Sequence, residues 1–193
     1  MTAAPVVVVL AAGAGRRLGG VAKALLRDGA GPTYLERVWQ AAREGGAGSA
    51  VVVAGPPHLQ ETEVEAARLG LPVAVNPDPD RGMASSVAIG FAAALEAGDA
   101  DRALLWPVDH PRVDAATVRR LLSADGEVVV PAFGSRGGHP TVFARALWPA
   151  LVACVDAADG ARSVVRAAAD RVVRIDVEDR GVIADVDTRA DLR

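Results

Sequence analysis

The chain has 193 residues, enough for one well-buried domain and short for two, so we expect a single domain over residues 1–193. Hydrophobic residues make up 51% of the sequence and aromatic residues 4%, which favours a core of small and β-branched side chains in packed layers. The net charge is −3 and the basic residues are scattered, a pattern that argues against nucleic acid as a partner.

The single cysteine, Cys154, excludes an intrachain disulfide and a zinc site built from several thiolates. The first apolar run has no basic region ahead of it and is far shorter than the ~20 residues that a membrane helix needs. The sequence therefore predicts a soluble, cytoplasmic protein that has no membrane partner.

Apolar runs and helical spacings alternate along the chain in β-α-β order. Strands are predicted at 6–10, 50–54, 72–75, 102–106, 127–131, 172–177 and 182–186, and 141–143 is predicted to return as a hairpin. Helices are predicted at 34–44, 59–69, 114–122, 145–156 and 161–169, with another beginning at the loop 81–86 and a short one at the end. This order indicates an α/β, three-layer, Rossmann-like architecture with a mixed, mainly parallel sheet and function at the strand carboxyl ends.

A loop rich in glycine and positive charge follows the first strand. Its glycines are Gly13, Gly15, Gly19 and Gly20, and its cations are Arg16, Arg17 and Lys23. Bare backbone N–H groups and fixed positive charge together favour a nucleoside triphosphate. The spacing does not match a P-loop, because Val21 stands where that motif has lysine after its last glycine. It does not match the dinucleotide fingerprint G-x-G-x-x-G either, because Leu18 stands where the third glycine is required. A plain glycine-rich turn is the alternative.

Asp109 lies at the end of the predicted strand 102–106, between Pro107 and Pro111, which fix the backbone. An aspartate in this place either starts a turn or projects a carboxylate towards a metal ion. A hard divalent cation uses one or two carboxylates together with phosphates and water, so a metal site predicts a second carboxylate. Asp185 and Asp187 are the candidates, since alternation along an extended chain puts both on one face.

Six segments occur in a recognisable order: Leu10-Ala11-Ala12-Gly13-x-Gly15-x-Arg17-Leu18-Gly19 with Lys23, Asn76-Pro77 with Gly82-Met83-x-Ser85-Ser86, Asp109-x-Pro111, Arg136-Gly137-Gly138-His139-Pro140, Asp159-Gly160-Ala161-Arg162, and Asp185-Val186-Asp187-Thr188. Together they resemble the molybdenum cofactor guanylyl- and cytidylyltransferases, the MobA-like nucleotidyltransferases. The resemblance implies a nucleotide-diphospho-sugar transferase-like fold. It also implies transfer of a nucleoside monophosphate from a triphosphate to a phosphate-bearing pterin, with release of pyrophosphate.

The resemblance also implies roles for individual residues. Arg17, Lys23 and Asp109 would be catalytic, and Asp109 with Asp187 would hold Mg²⁺, with Asp185 as the alternative ligand. The implied nucleotide-binding residues are Leu10, Ala11, Ala12, Gly13, Gly15, Arg17, Lys23, Gly55, Asn76, Gly82, Ser85 and Ser86. The implied acceptor-binding residues are Arg136, Gly138, His139, Pro140, Asp159, Gly160 and Arg162. The acceptor phosphate would attack the α-phosphorus in line, and loss of either cation would impair turnover more than folding.

Several positions differ from the usual motifs or bear on the substrate. Ala12 resembles the cytidylyl branch, where the guanylyl branch has glycine, and so favours CTP over GTP. His110 replaces a glutamine, Arg189 a proline and Ala158 a glycine. Ser85 or Ser86 at a helix start also predicts a cap. The implied partners are the nucleoside triphosphate, the pterin acceptor and a molybdoenzyme that receives the product.

Two alternatives remain at this stage. One keeps the chemistry and changes the acceptor to a sugar or alcohol phosphate. The other is an oxidoreductase of the nicotine-blue type, or a non-catalytic binding protein, on the same scaffold. The poor dinucleotide fingerprint argues against a nicotinamide cofactor.

Overall fold

A computed structural model describes residues 3–156 and 159–192, which contain one eight-stranded sheet flanked by helices. The strands are β1 (Val6–Leu10), β2 (Ser49–Ala54), β3 (Val73–Val75), β4 (Arg102–Pro107), β5 (Val128–Phe133), β6 (Arg136–Gly137), β7 (Thr141–Ala144) and β8 (Val172–Asp176). The α-helices are α1 (Tyr34–Glu44), α2 (Leu59–Arg68), α3 (Met83–Ala97), α4 (Ala115–Ser123), α5 (Trp148–Ala153) and α6 (Ala161–Ala167). Among the described helices, none is long and apolar enough to cross a membrane.

The sheet confirms the predicted mixed, mainly parallel arrangement. Its order is β3-β2-β1-β4-β7-β5-β6, and β8 also pairs with β5. Strands β1 to β4 are parallel to one another, as are β5 and β8. Strand β7 runs antiparallel between β4 and β5, so the parallel order breaks at the hairpin expected near 141–143.

Helices cover both faces of the sheet, which explains why its central strands are apolar throughout. In β1, Val7 and Val9 face a core that includes α1 and α4. The alternate residues Val6, Val8 and Leu10 face a second core that includes α3 and α5. Because successive side chains of a strand point to opposite faces, a sheet between two helical layers needs apolar residues at every position.

The prediction of a strand at 182–186 is wrong. Arg180–Ile183 forms a 3₁₀ helix instead, and the chain after it is irregular. The Asp179 carboxylate accepts a hydrogen bond from the Gly181 N–H at 2.8 Å and starts this turn. Val182 and Val186 are both fully buried, so their apolar spacing reflects burial beneath the sheet edge and not strand pairing.

Two helices have other bounds in the structure than the sequence predicts. The helix predicted at 145–156 is split into a 3₁₀ turn, α5 and another 3₁₀ turn. Pro149 lies in the first turn of α5 and has no N–H to donate to the preceding turn, so the α-helix cannot extend back through it. The helix predicted at 161–169 ends at Ala167. Ala158, one of the positions that depart from the motif, lies outside the described residues.

Helix α4 begins after Asp114, as predicted, but the Asp114 side chain makes no capping hydrogen bond. Asp179 supplies the carboxylate there, accepting from the Asp114 N–H and from the Thr117 hydroxyl, each at 2.8 Å. The start of this helix is therefore held by a residue 65 positions along the chain.

Candidate active site

The loops after β1 and β4 lie side by side, because these strands are parallel neighbours. Lys23 comes from the first loop and Asp109 from the second, and the Lys23 Nζ donates to Asp109 Oδ2 at 2.8 Å. The same Nζ donates to Asp187 Oδ1 at 2.7 Å. The Arg17 guanidinium forms an ion pair with the other oxygen of Asp187. Four residues predicted for catalysis and metal binding thus meet at one point.

The ion pairs control the protonation of this cluster. Burial alone would raise the pKa of Asp109, but the hydrogen bond from His110 and the charge of Lys23 outweigh it and lower the pKa to about 2. The Lys23 hydrogen bond is the main reason why the pKa of Asp187 is lowered. Burial would lower the pKa of Lys23, yet the two carboxylates raise it overall. The cluster therefore holds two carboxylates and one ammonium across the physiological pH range.

Backbone contacts bring Asp187 to this place. The Val186 N–H donates to the Asp109 carbonyl at 2.8 Å, which joins the C-terminal segment, residues 184–192, to the loop after β4. The Asp191 carboxylate then accepts from the N–H groups of Asp187 and Thr188 at 3.2 and 2.8 Å. The Thr188 hydroxyl also donates to it at 2.8 Å. These contacts fix the turn that carries Asp187.

Asp185 does not join the cluster. It lines a different cavity, together with Arg136 and Arg180. The expectation that both aspartates share one face is wrong because residues 184–187 are not a strand. Of the two candidates, only Asp187 contacts Lys23.

A cavity of about 240 Å³ opens beside the cluster, between the glycine-rich loop and the start of α3. Its lining includes eight residues predicted for the nucleotide or the metal: Leu10, Ala11, Ala12, Gly13, Lys23, Gly82, Ser86 and Asp109. Arg16 and Asp80 form an exposed ion pair at 2.7 Å that links the two sides of the cavity. The size and lining suit part of a nucleotide.

Gly15 shapes the loop and is not among the residues that line the cavity. Its φ is +59°, and a Cβ there would lie 2.1 Å from the Val21 carbonyl oxygen. Only glycine tolerates both the left-handed backbone and this close approach. Gly15 therefore folds the loop back on itself so that Gly13 and Ala14 face the cavity.

Asn76 organises the other wall of the cavity. Its Nδ2 donates to the hydroxyls of Ser85 and Ser86, both at 2.9 Å, and all three residues are buried. The prediction that a serine caps the helix is wrong, because α3 begins earlier, with Gly82 as its N-cap residue. Gly55 lies behind this wall, where a Cβ would be 2.4 Å from the Asn76 carbonyl oxygen.

The predicted acceptor loop reaches the same cluster from β6. The Gly138 backbone packs on Val182, where a Cβ would be 2.2 Å from a carbonyl oxygen. The next residue, His139, places its ring edge-on to His110 at a centroid distance of 4.9 Å. His110 Nδ1 in turn lies 3.2 Å from Asp109 Oδ1. Arg136 is exposed and lines the separate cavity with Asp185, whereas Pro140 is buried.

The second predicted acceptor segment lies against the start of α3. A Cβ on Gly160 would be 3.0 Å from Ala84 Cβ. The Asp159 carboxylate pairs with Arg166, so it is engaged within its own segment. Burial is the main cause of the lowered pKa of His139, and the charges of His110 and Arg162 lower it further. The structure thus places His139 of the first predicted acceptor segment beside His110, and Gly160 of the second beside Ala84 at the start of α3.

Asp191 was missed by the sequence reasoning. The spacing Thr188-x-x-Asp191 is that of a capping box, and this signal could have drawn attention to it. Arg112 and Asp28, whose ion pair also contacts the C-terminal segment, were missed too. Nothing local in the sequence indicates that pair.

The fold is a mixed sheet between two helical layers, and its glycine-rich loop after β1 faces one carboxylate after β4 and another from the C-terminal segment. These features define a nucleotidyltransferase-type scaffold of the nucleotide-diphospho-sugar transferase fold. The profile of the MobA-like NTP transferase domain matches residues 7–172. The chain therefore belongs to the MobA-like NTP transferase family.

Individual relatives carry different names. The nicotine blue oxidoreductase of Paenarthrobacter nicotinovorans is 36% identical over 94% of this chain and 91% of its own length. A molybdenum cofactor guanylyltransferase of Cereibacter sphaeroides is 37% identical over 75% of this chain and 69% of its own.

Among solved structures, Rv0371c from Mycobacterium tuberculosis superposes with a TM-score of 0.82 at 27% identity, covering 99% of this chain and 96% of that one. A manganese complex of Rv0371c superposes with a TM-score of 0.70 at 26% identity, covering 98% and 96%.

Proposed function

We propose that this protein transfers a nucleoside monophosphate from a nucleoside triphosphate to a phosphate-bearing acceptor and releases pyrophosphate. The observation that carries the proposal is the Lys23 bridge between Asp109 and Asp187 at the edge of the cavity formed by the glycine-rich loop. Membership of the MobA-like NTP transferase family supports the same reaction class.

The donor set suits a hard divalent cation. Two carboxylates already surround one positive charge, the Lys23 ammonium. Within residues 3–156 and 159–192 no three His, Cys, Asp or Glu side chains form a metal cluster, so phosphate and water oxygens would complete the shell. We propose that Asp109 and Asp187 hold Mg²⁺ or Mn²⁺; the manganese complex of Rv0371c supports a divalent ion. Such an ion would neutralise charge on the reacting phosphates.

The side chains of the chain itself would act mainly by position and charge. Among the residues that the structure describes, the Lys23 ammonium donates to the two carboxylates. It can therefore move towards a triphosphate when a cation balances the charge of these carboxylates. Arg17 is exposed at the loop and can follow the leaving pyrophosphate. The attacking atom would be an oxygen of the acceptor phosphate, and no side-chain nucleophile is required.

For the nucleotide we propose CTP in preference to GTP. Ala12 lines the cavity and is buried, and its methyl group occupies space that glycine would leave to a larger base. GTP is the alternative nucleotide, because one relative is named molybdenum cofactor guanylyltransferase. Direct competition between the two nucleotides decides between them.

For the acceptor we propose molybdopterin, with a molybdoenzyme as the protein that receives the product in the cytoplasm. The loop of Arg136 to Pro140 and the segment of Asp159 to Arg162 would bind this second substrate. Sugar and alcohol phosphates are the alternative acceptors, and an acceptor screen with radiolabelled nucleotide separates them.

A second candidate function follows from the relative named nicotine blue oxidoreductase. In that case the cavity would serve a redox reaction with a nicotinamide cofactor. The cluster of Lys23, Asp109 and Asp187 favours the nucleotidyltransferase, since two carboxylates suit the divalent cation that accompanies a triphosphate.

Calorimetric binding of CTP, GTP and NADPH, each with and without Mg²⁺, tests the proposal. We expect binding of CTP that depends on the metal and no binding of NADPH. We further expect Asp109→Ala to keep the fold, because Asp109 lies in a loop, and to lose metal-dependent binding and at least about 100-fold in turnover. Asp185→Ala is the matched control and should behave like the wild type. Binding of NADPH alone would overturn the proposal.

A further inference from the structure

Arg112 lies three residues after Asp109, in the loop between β4 and α4. Its Nε and Nη2 donate to the two carboxylate oxygens of Asp28 at 3.0 and 2.9 Å, a bidentate ion pair. The same Nη2 donates to the Asp191 carbonyl oxygen at 2.9 Å. One guanidinium therefore contacts both the segment after Lys23 and the C-terminal segment.

The Asp191 contact matters because this residue fixes the turn that carries Asp187. Its carboxylate accepts from the Asp187 and Thr188 N–H groups and from the Thr188 hydroxyl, while its carbonyl accepts from Arg112. The C-terminal segment is thus attached to the loop after β4 twice, by the Val186 N–H on Asp109 and by Arg112.

The ion pair is itself held rigidly. The side chains of Arg112 and Asp28 are each 14% exposed. The Tyr34 hydroxyl donates to Asp28 at 2.9 Å, and Arg37 lies 3.5 Å from it. The Arg112 hydrogen bonds are the main reason why the pKa of Asp28 is lowered, so the pair stays ionised at physiological pH. The planar fork of arginine makes all three hydrogen bonds at once, which a lysine cannot do.

We propose that Arg112 is a positioning residue for the carboxylate pair. Through Asp28 and Asp191 it holds Asp187 at the distance from Asp109 at which both can bind one cation. The inference rests on the proposed function, because it assigns the pair to a metal ion. Partners behind metal ligands usually change metal affinity about 10- to 100-fold when they are lost.

Arg112→Lys tests the proposal, with Arg102→Lys as the matched control. Arg102 is also a partly buried arginine with three hydrogen bonds to carbonyl oxygens, of Leu122, Ala124 and Gly126, but it lies at the opposite end of β4. Both variants lose a comparable set of contacts. Only Arg112→Lys should affect the C-terminal segment.

The first measurement is hydrogen exchange of the segment 184–192 in the protein without metal or nucleotide. We expect exchange about tenfold faster in Arg112→Lys and unchanged in Arg102→Lys. Asp28→Asn should reproduce the effect, since it removes the other half of the ion pair. Equal exchange in the wild type and Arg112→Lys overturns the inference, whatever the protein's activity.

The second measurement is the Mn²⁺ concentration that gives half-maximal CTP binding. It should rise about tenfold in Arg112→Lys, while CTP binding in EDTA stays the same. Faster exchange with an unchanged Mn²⁺ requirement would show an anchor without a role at the carboxylate pair, and would overturn the proposal. A wild-type protein whose CTP binding needs no metal would overturn the proposed function, and exchange would then report on anchoring alone.

Discussion

At the scale of single residues, the central feature is one ammonium group shared by two carboxylates. Asp109 and Asp187 would repel each other across a short distance, and Lys23 offsets this repulsion at 2.8 and 2.7 Å. An opposite charge at this distance stabilises both ionised carboxylates. Both carboxylates are therefore ionised and held in place before any substrate arrives, which would lower the cost of organising the proposed cation site.

His139 provides a prediction at the same scale. Burial is the main reason why its pKa is lowered, from 6.5 to about 4. Its Nδ1 is buried, and no partner for it lies within the described residues. The folded protein therefore keeps this ring neutral at pH values where the unfolded chain already binds a proton. The free energy of unfolding should fall as the pH drops from 6.5 to 4, by up to about 3 kcal/mol.

Urea unfolding at pH 7.5, 6.5, 5 and 4 measures this effect. In His139→Gln, which has no titrating ring, the loss of stability between pH 6.5 and 4 should be smaller by that amount. Parallel curves for the wild type and the variant would contradict the prediction.

At the scale of elements, helix α3 lies close to the sheet where Gly90 faces β1 and β2. A Cβ on Gly90 would lie 2.3 Å from Val8 Cγ1 and 2.8 Å from Val53 Cγ2. The glycine thus lets the helix approach β1 and β2, which carries its first turn, with Ser85 and Ser86, to the cavity wall. The position of the proposed nucleotide site depends on this packing.

Gly90→Ala tests the role of this approach. Alanine favours a helix by about 1 kcal/mol over glycine, but overpacking at such short distances costs about 1 to 3 kcal/mol. We expect a net loss in the free energy of unfolding, measured with urea, and weaker CTP binding. Ala92→Ser, which adds one atom on a partly exposed part of α3, is the control. Equal stability of the two variants would argue against tight packing at Gly90.

At the scale of the whole molecule, the site joins distant parts of the chain. Lys23 contacts residues 86 and 164 positions away. A ligand that binds this cluster must therefore stabilise the entire fold and not one loop. At 100 times its dissociation constant, a ligand adds about 2.7 kcal/mol.

A thermal scan measures that stabilisation. CTP with Mn²⁺ at this excess should raise the Tm by about 5 to 10 °C for a protein of this size. Asp187→Asn should lose the part of the shift that depends on the metal, and Asp185→Asn should retain it. A shift of the same size with CTP in EDTA would contradict a site built around a cation.

Local patterns in the sequence determined much of this protein. A local preference of the chain is enough to predict the apolar run of β1, the helical spacing of α1 and the glycine-rich loop after β1. The same holds for the loop that carries Asp109, because Pro107 and Pro111 fix the backbone on either side of it. The sequence could not decide between a strand and a turn at 182–186, because periodicity reports burial and not the hydrogen-bond partner. Only the tertiary structure decided that Asp187, and not Asp185, joins the cluster. It also decided the Lys23 bridge and the Arg112–Asp28 ion pair, since contacts between residues far apart in the chain depend on how the strands are ordered.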